Sequence, residues 1–213
     1  MTRTTKHSLR RKALLISAHL LSIICNPIVV PTIGFIAVFA FSYLAILPWI
    51  YKLSVTALVI GFTMIFPLFF IRLYQWLNGW KLRELGHQRK RLIPYIFIIC
   101  SYIGCLFVMQ HFNMPRCLTG IVVSALASMV ICFSINQFWK ISAHMAGMGQ
   151  LIGGLIAFSM IFYYNPLPWL CLLILLAGAE GTCSIIMRRH TLSQVLVGEV
   201  VGLVCGISGI LFL

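Results

Sequence analysis

Two histidines and a set of cations are the residues of this chain best suited to chemistry. Lys140, Ser142 and His144 fall within "WKISAH" (139–144), and His190 falls in "RRHTLSQ" (188–194) directly after Arg188 and Arg189. A third stretch, "KLRELGHQRKRLIP" (81–94), contributes Arg91. Arginine and lysine neutralise phosphate oxygens, and a serine hydroxyl can donate to one. Two imidazoles add what binding alone does not need. One can attack phosphorus while the other protonates the departing alkoxide, replacing one hard displacement by two easier ones.

Each of these residues also has a plainer use. Arg188, Arg189 and "RKR" (89–91) suit anchors at membrane-helix ends, and His7, His19, His87, His111 and His190 suit interfacial positions. The conjunction of Lys140, Ser142, His144 and His190 on one side of the chain's expected topology favours the chemical reading. Lys140 and His144 are four positions apart, so a helix covering both would present them on one face.

Carboxylate-built metal chemistry is nearly excluded. The chain has no aspartate, and its three acids are Glu84, Glu180 and Glu199. Membrane enzymes that hold Mg²⁺ through aspartate clusters, such as prenyltransferases and CDP-alcohol phosphotransferases, need several hard oxygen ligands close together. No metal site and no cofactor are therefore expected. The eight cysteines are scattered through apolar segments without a C-x-x-C pair and read as small packing residues.

The elements that must position these residues are membrane helices. Of the 213 residues 61% are hydrophobic and 9% charged, far from the balance of a water-soluble domain. Apolar runs of about 20 residues, enough to cross a bilayer, fall at about 29–50, 54–77, 92–112, 117–138, 146–164, 167–187 and 194–213. The expected fold is an all-α polytopic transmembrane bundle of about six to seven spans. Residues 29–213 would form it. Residues 1–28 would be a basic tail and an interfacial helix, "ALLISAHLLSIIC" (13–25), broken by Asn26-Pro27. No small-x-small site follows that segment, which argues against a cleaved signal peptide.

Counting spans places 78–91, 139–145 and 188–193 on one face. Together with the N-terminal tail that face would hold all the basic residues except Lys52 and Arg116. The positive-inside rule would make this the cytoplasmic face; an anion site would be basic wherever it lay. With an odd span count the C-terminus lies opposite. Gly147, Gly149, Gly153 and Gly154, and then Gly198, Gly202 and Gly206, suit close helix packing.

These residues resemble the motifs of the type 2 phosphatidic acid phosphatase superfamily, which are Lys-x6-Arg-Pro, Pro-Ser-Gly-His and Ser-Arg-x5-His-x3-Asp. Ile141-Ser142-Ala143-His144 is similar to the second motif, keeping its serine and histidine. Cys183-Ser184, His190 and Gln194 follow the spacing of the third, with Ser184 at the arginine position and Gln194 at the aspartate position. "RLIP" (91–94) resembles the Arg-Pro end of the first with two residues inserted, and Glu84 stands at its lysine position. The resemblance covers about residues 80–205.

It implies an integral-membrane, metal-independent lipid phosphate phosphatase of phospholipid metabolism. His190 would be the nucleophile that forms a phosphohistidine and His144 the general acid. Ser142, Lys140, Arg91, Arg188 and Arg189 would hold phosphate oxygens, with Gln194 orienting an imidazole. The expected partners are a lipid phosphate and the surrounding membrane lipids, without nucleic acid. The expected place is a bacterial inner membrane with the site towards the cytoplasm. Two other readings stay open. The altered motif positions suit a relative that binds or carries an anionic lipid without turnover. Glu180 and Glu199 within apolar spans suit a small channel or transporter subunit.

Overall fold

The computed structural model describes residues 26–77 and 92–212, and these form an all-α membrane bundle. After a short helix α1 (Val30–Phe41) come six helices long and apolar enough to span a bilayer: α2 (Trp49–Leu77), α3 (Leu92–His111), α4 (Arg116–Phe138), α5 (Ala143–Phe162), α6 (Leu167–Ile186) and α7 (Leu192–Leu211). No β-strand occurs among the described residues. Residues 1–25, with the tail and the expected interfacial helix, lie outside them, as do Glu84 and Arg91.

Prolines set several of the starts. Pro31 lies in the first turn of α1, Pro48 and Pro115 directly precede α2 and α4, and Pro166 precedes α6. A first turn has no intrahelical use for its N–H groups, so a residue without one fits there. Pro67 instead lies inside α2 and cannot donate to the carbonyl of Thr63. The helix widens into a π turn over Gly61–Ile65 just before it, the usual way a long helix absorbs an internal proline.

The expected span at 29–50 is not a single helix. Its first part, α1, has 12 residues, a rise of about 18 Å against a hydrocarbon core of about 30 Å. Ser42 then turns extended and accepts the Leu44 N–H on its hydroxyl, a 3-10 turn follows at Tyr43–Ile46, and Pro48 starts α2. Depth is marked at the other end of α1. The Tyr102 hydroxyl, midway along α3, donates to the Pro27 carbonyl at 3.2 Å, and Thr32 reaches Met64, midway along α2. Helix α1 therefore begins near the bilayer centre and ends at the face where α2 starts.

The core of the bundle is the parallel pair α5 and α7, the most extensive helix contact among the described residues. A methyl group on Gly149, Gly153 or Gly202 would overlap backbone of the facing helix, and one on Gly198 would sit 2.5 Å from the Ser142 carbonyl oxygen. Glycines on both helices thus bring the two backbones into direct contact, as their spacing predicts. Helix α4 closes on α7 through Gly120 and Gly209. Helices α2 and α6 lie at the periphery and turn Phe69, Trp76, Ile174 and Leu175 outward, where lipid solvates them.

Candidate functional site

Both α5 and α7 begin on the same face, and the two sequence stretches that carry the histidines meet there. The connection from α4 to α5 is extended rather than helical. Trp139 closes α4, Lys140 and Ile141 run on without helical bonds, and Ser142 is the N-cap of α5. Lys140 and His144 consequently do not share a helical face. Lys140 precedes the helix, because Ser142 in a β conformation ends any continuation from behind. His144 is the second residue of α5 and is half-buried.

Two hydrogen bonds tie this connection to the opposite loop. Lys140 Nζ donates to the Arg189 carbonyl at 2.7 Å, and the Ser142 N–H donates to the Gln194 carbonyl at 3.3 Å. Fully buried Ile141 anchors the segment between them. Ser142 is itself completely buried, and its Oγ accepts the Met145 N–H at 3.5 Å as a helix cap.

The α6–α7 loop is built from two successive caps. Helix α6 ends in a Schellman arrangement: the Arg189 N–H donates to the Ser184 carbonyl at 3.0 Å and the Arg188 N–H to the Ile185 carbonyl at 2.9 Å. Arg188 takes the left-handed conformation this requires, at φ 53°, although glycine is the residue best suited to it. Ser184, at the arginine position of the third motif, is buried and contributes its carbonyl to the cap. Helix α7 then starts from Thr191, whose N–H donates to Gln194 Oε1 at 3.1 Å. His190 lies between the two caps.

Gln194 Oε1 is also 3.3 Å from His190 Nδ1. The Thr191 N–H can only donate, so it fixes which end of the Gln194 amide faces the loop. An amide oxygen can only accept, so Nδ1 of His190 is the protonated nitrogen on this side, and in the neutral imidazole Nε2 is the one that holds the lone pair. The arrangement prepares an imidazole whose outer nitrogen is basic and nucleophilic.

The electrostatics favour an anion. Two parallel helices direct their N-terminal N–H groups, and the positive ends of their dipoles, to this face. Lys140 is half-buried there, and Arg188 and Arg189 are exposed beside it. The structure thus brings Lys140, Ser142, His144, Arg188, Arg189, His190 and Gln194 to one end of the α5–α7 pair. Arg91 falls outside the described residues, although Leu92–Pro94 that follow it form the first turn of α3.

Glu180, which with Glu199 suits a small channel or transporter subunit by sequence, lies in the last two turns of α6 before this loop. It is 1% exposed on the buried stripe of α6 that includes Ala177, Gly181 and Ser184. Gly181 beside it packs on Val195 and Met145, the neighbours in sequence of Gln194 and His144. The signal available from sequence was its place in a small-residue run, "AGAEG" (177–181). Glu199, on α7, is half-buried. Among the described residues no three His, Cys, Asp or Glu side chains form a group able to hold a metal ion. In comparisons with family models, curated proteins and solved structures, the chain matches none.

Proposed function

We propose that this membrane protein is a metal-independent lipid phosphate phosphatase working through a phosphohistidine. The observation that carries the reading is the double use of Gln194 Oε1, which receives both the Thr191 N–H and His190 Nδ1 and so selects, for the neutral ring, the tautomer whose nucleophilic nitrogen is Nε2. His190 Nε2 forms a bond to phosphorus as the bond from phosphorus to the lipid oxygen breaks, and His144 gives its proton to that oxygen. His144 then takes a proton from water, the resulting hydroxide attacks phosphorus, and the N–P bond breaks to release inorganic phosphate. Lys140, Arg188, Arg189 and the two helix N-termini stabilise the charge on the phosphoryl oxygens; Arg91 and the Ser142 hydroxyl are assigned to the same group by resemblance to the phosphatase superfamily. The substrate class is a lipid phosphate such as phosphatidate, a prenyl pyrophosphate or a lipid A phosphate.

The basic face is assigned to the cytoplasm of a bacterial inner membrane, on the bias of basic residues towards it. Helix α7 carries the C-terminus to the opposite face.

Purified protein should release phosphate from one of these lipids in the presence of a chelator, and radiolabelled phosphate should stay on the protein as an acid-labile, alkali-stable adduct. Release equal to that of His190→Ala across the whole set would rule the reading out. A second reading, binding of an anionic lipid without turnover, is favoured by one observation. Ser142 and Ser184, which align with motif positions, are both buried and serve as helix caps through an oxygen. Lipid binding unchanged in His190→Ala, with no turnover in the wild type, would select it.

A further inference from the structure

Away from the basic face, α1, α4, α5 and α6 enclose a cavity of about 280 Å³. Its wall is almost wholly apolar, and Ser42, Ser124 and Gln150 in it already bond within the protein. Ser42 Oγ accepts the Leu44 N–H. Ser124 Oγ donates to the Ile121 carbonyl at 2.8 Å and accepts Gln150 Nε2 at 3.0 Å. An ordered water needs two to four polar partners, and this wall offers few. The space suits hydrocarbon.

Its mouth opens sideways. Helix α1 packs on α2, α4 and α5 but makes no extensive contact with α6, and Ile36 and Leu172 at the two sides of that gap are 56% and 46% exposed. The cavity also has the depth of one leaflet. Along α5 its lining runs from Gln150 to Phe162, about 18 Å at the helical rise, against about 15 Å for half a hydrocarbon core. Because α1 starts near the bilayer centre, this depth lies on the side away from the histidines. Phe158 and Phe162 stack at 5.6 Å near the outer end. Tyr164 and Trp169 stand beyond them at the level of lipid head groups, and burial pushes the Tyr164 phenol upward, keeping it neutral.

We propose that this cavity takes one hydrocarbon chain of a bilayer phospholipid from the leaflet opposite the basic face, entering between α1 and α6. The site is independent of the phosphatase reading, since it shares none of that reading's residues and lies in the other leaflet.

The test uses the full-length protein in vesicles doped with phosphatidylcholine bearing a photoactivated diazirine on one acyl chain. After irradiation, peptide mass spectrometry should find adducts on the cavity residues Ala37, Leu155 and Leu172. In Ala37→Phe, which places a ring in the cavity, labelling of Leu155 should be lost while labelling of outward-facing Phe69 and Leu175 is unchanged. That unchanged outer labelling is the control for folding, and Leu172→Trp at the mouth serves if Ala37→Phe fails it. His190→Ala should leave the pattern as in the wild type. Labelling of Leu155 that persists in both variants, or that is no stronger than on the outer faces, would overturn the proposal. So would labelling by a phosphatidate probe but not by phosphatidylcholine, since the chain would then belong to a ligand chosen by its phosphate.

Discussion

His190 Nδ1 lies 3.3 Å from Gln194 Oε1, on the same oxygen that accepts the Thr191 N–H at 3.1 Å. One side chain thus caps a helix and sets the tautomer of the proposed nucleophile. Glutamate keeps the capping geometry and adds a charge, so Gln194→Glu should fold as the wild type does. The carboxylate stabilises the imidazolium, so turnover should rise about tenfold or more, by analogy with the loss seen when such a carboxylate is neutralised. The same charge favours protonated His190, and reaction requires the neutral form. The acid limb of kcat/KM should therefore move to higher pH. A folded Gln194→Glu protein with unchanged turnover and an unmoved limb would contradict the tautomer argument.

Arg188 occupies a left-handed backbone position at φ 53°, which costs a non-glycine residue about 1–3 kcal/mol. Arg188→Gly should raise the melting temperature in detergent while lowering kcat/KM for a lipid phosphate, a trade of stability against function. Arg188→Ala, which keeps the strain and loses the charge, should lower kcat/KM without the gain. Equal melting temperatures for the two variants would show that the strain is relieved in some other way.

Gly202 faces the Ala146 backbone, with no flexible side chain in between to yield. Gly202→Ala must push α5 and α7 apart and should cost about 3 kcal/mol or more, at the upper end of overpacking effects. Gly178→Ala, where a methyl group meets nothing within 4 Å, should be neutral or stabilise by up to about 1 kcal/mol. Chemical unfolding in mixed micelles can compare the two, and similar values for both would refute the backbone contact.

Tyr102→Phe removes the hydroxyl that donates to the Pro27 carbonyl at mid-bilayer. The expected loss in chemical unfolding is about 1–3 kcal/mol. Stability equal to wild type would mean that this carbonyl finds another donor.

Much of this arrangement was legible in the sequence because lipid imposes a simple rule on a chain: long apolar runs must be helices. Five of the expected spans begin and end within about three residues of α3 to α7, within the usual scatter of helix boundaries. That α5 and α7 each pack closely on a neighbour, though not that they pack on each other, was legible in their glycines. So was the meeting of "WKISAH" with "RRHTLSQ", since both loops fall on one face. The half-length of α1 was not legible, because hydropathy does not distinguish a span from a half-span that turns at Ser42. Whether one helix covers both Lys140 and His144 was not legible, because an N-cap depends on the backbone angles of Ser142 rather than on spacing. The Schellman turn was hidden for a similar reason, since Arg188 stands where glycine would have announced it.

The glycine contacts between α5 and α7 also bear on register. Gly198, Gly202 and Gly206 recur at the helical repeat, and Gly149 and Gly153 do the same on the facing helix. Sliding one helix past the other by a turn would bring glycine opposite backbone again at several of these contacts, so steric fit alone discriminates weakly between the two registers. What does distinguish them is directional: the Ser142 N–H to the Gln194 carbonyl and Lys140 to the Arg189 carbonyl at the basic face. The residues assigned to phosphate chemistry by the proposed function therefore also join the two helices in register at the basic face, as Gln150–Ser124 and the Gly120–Gly209 contact do through α4 farther along.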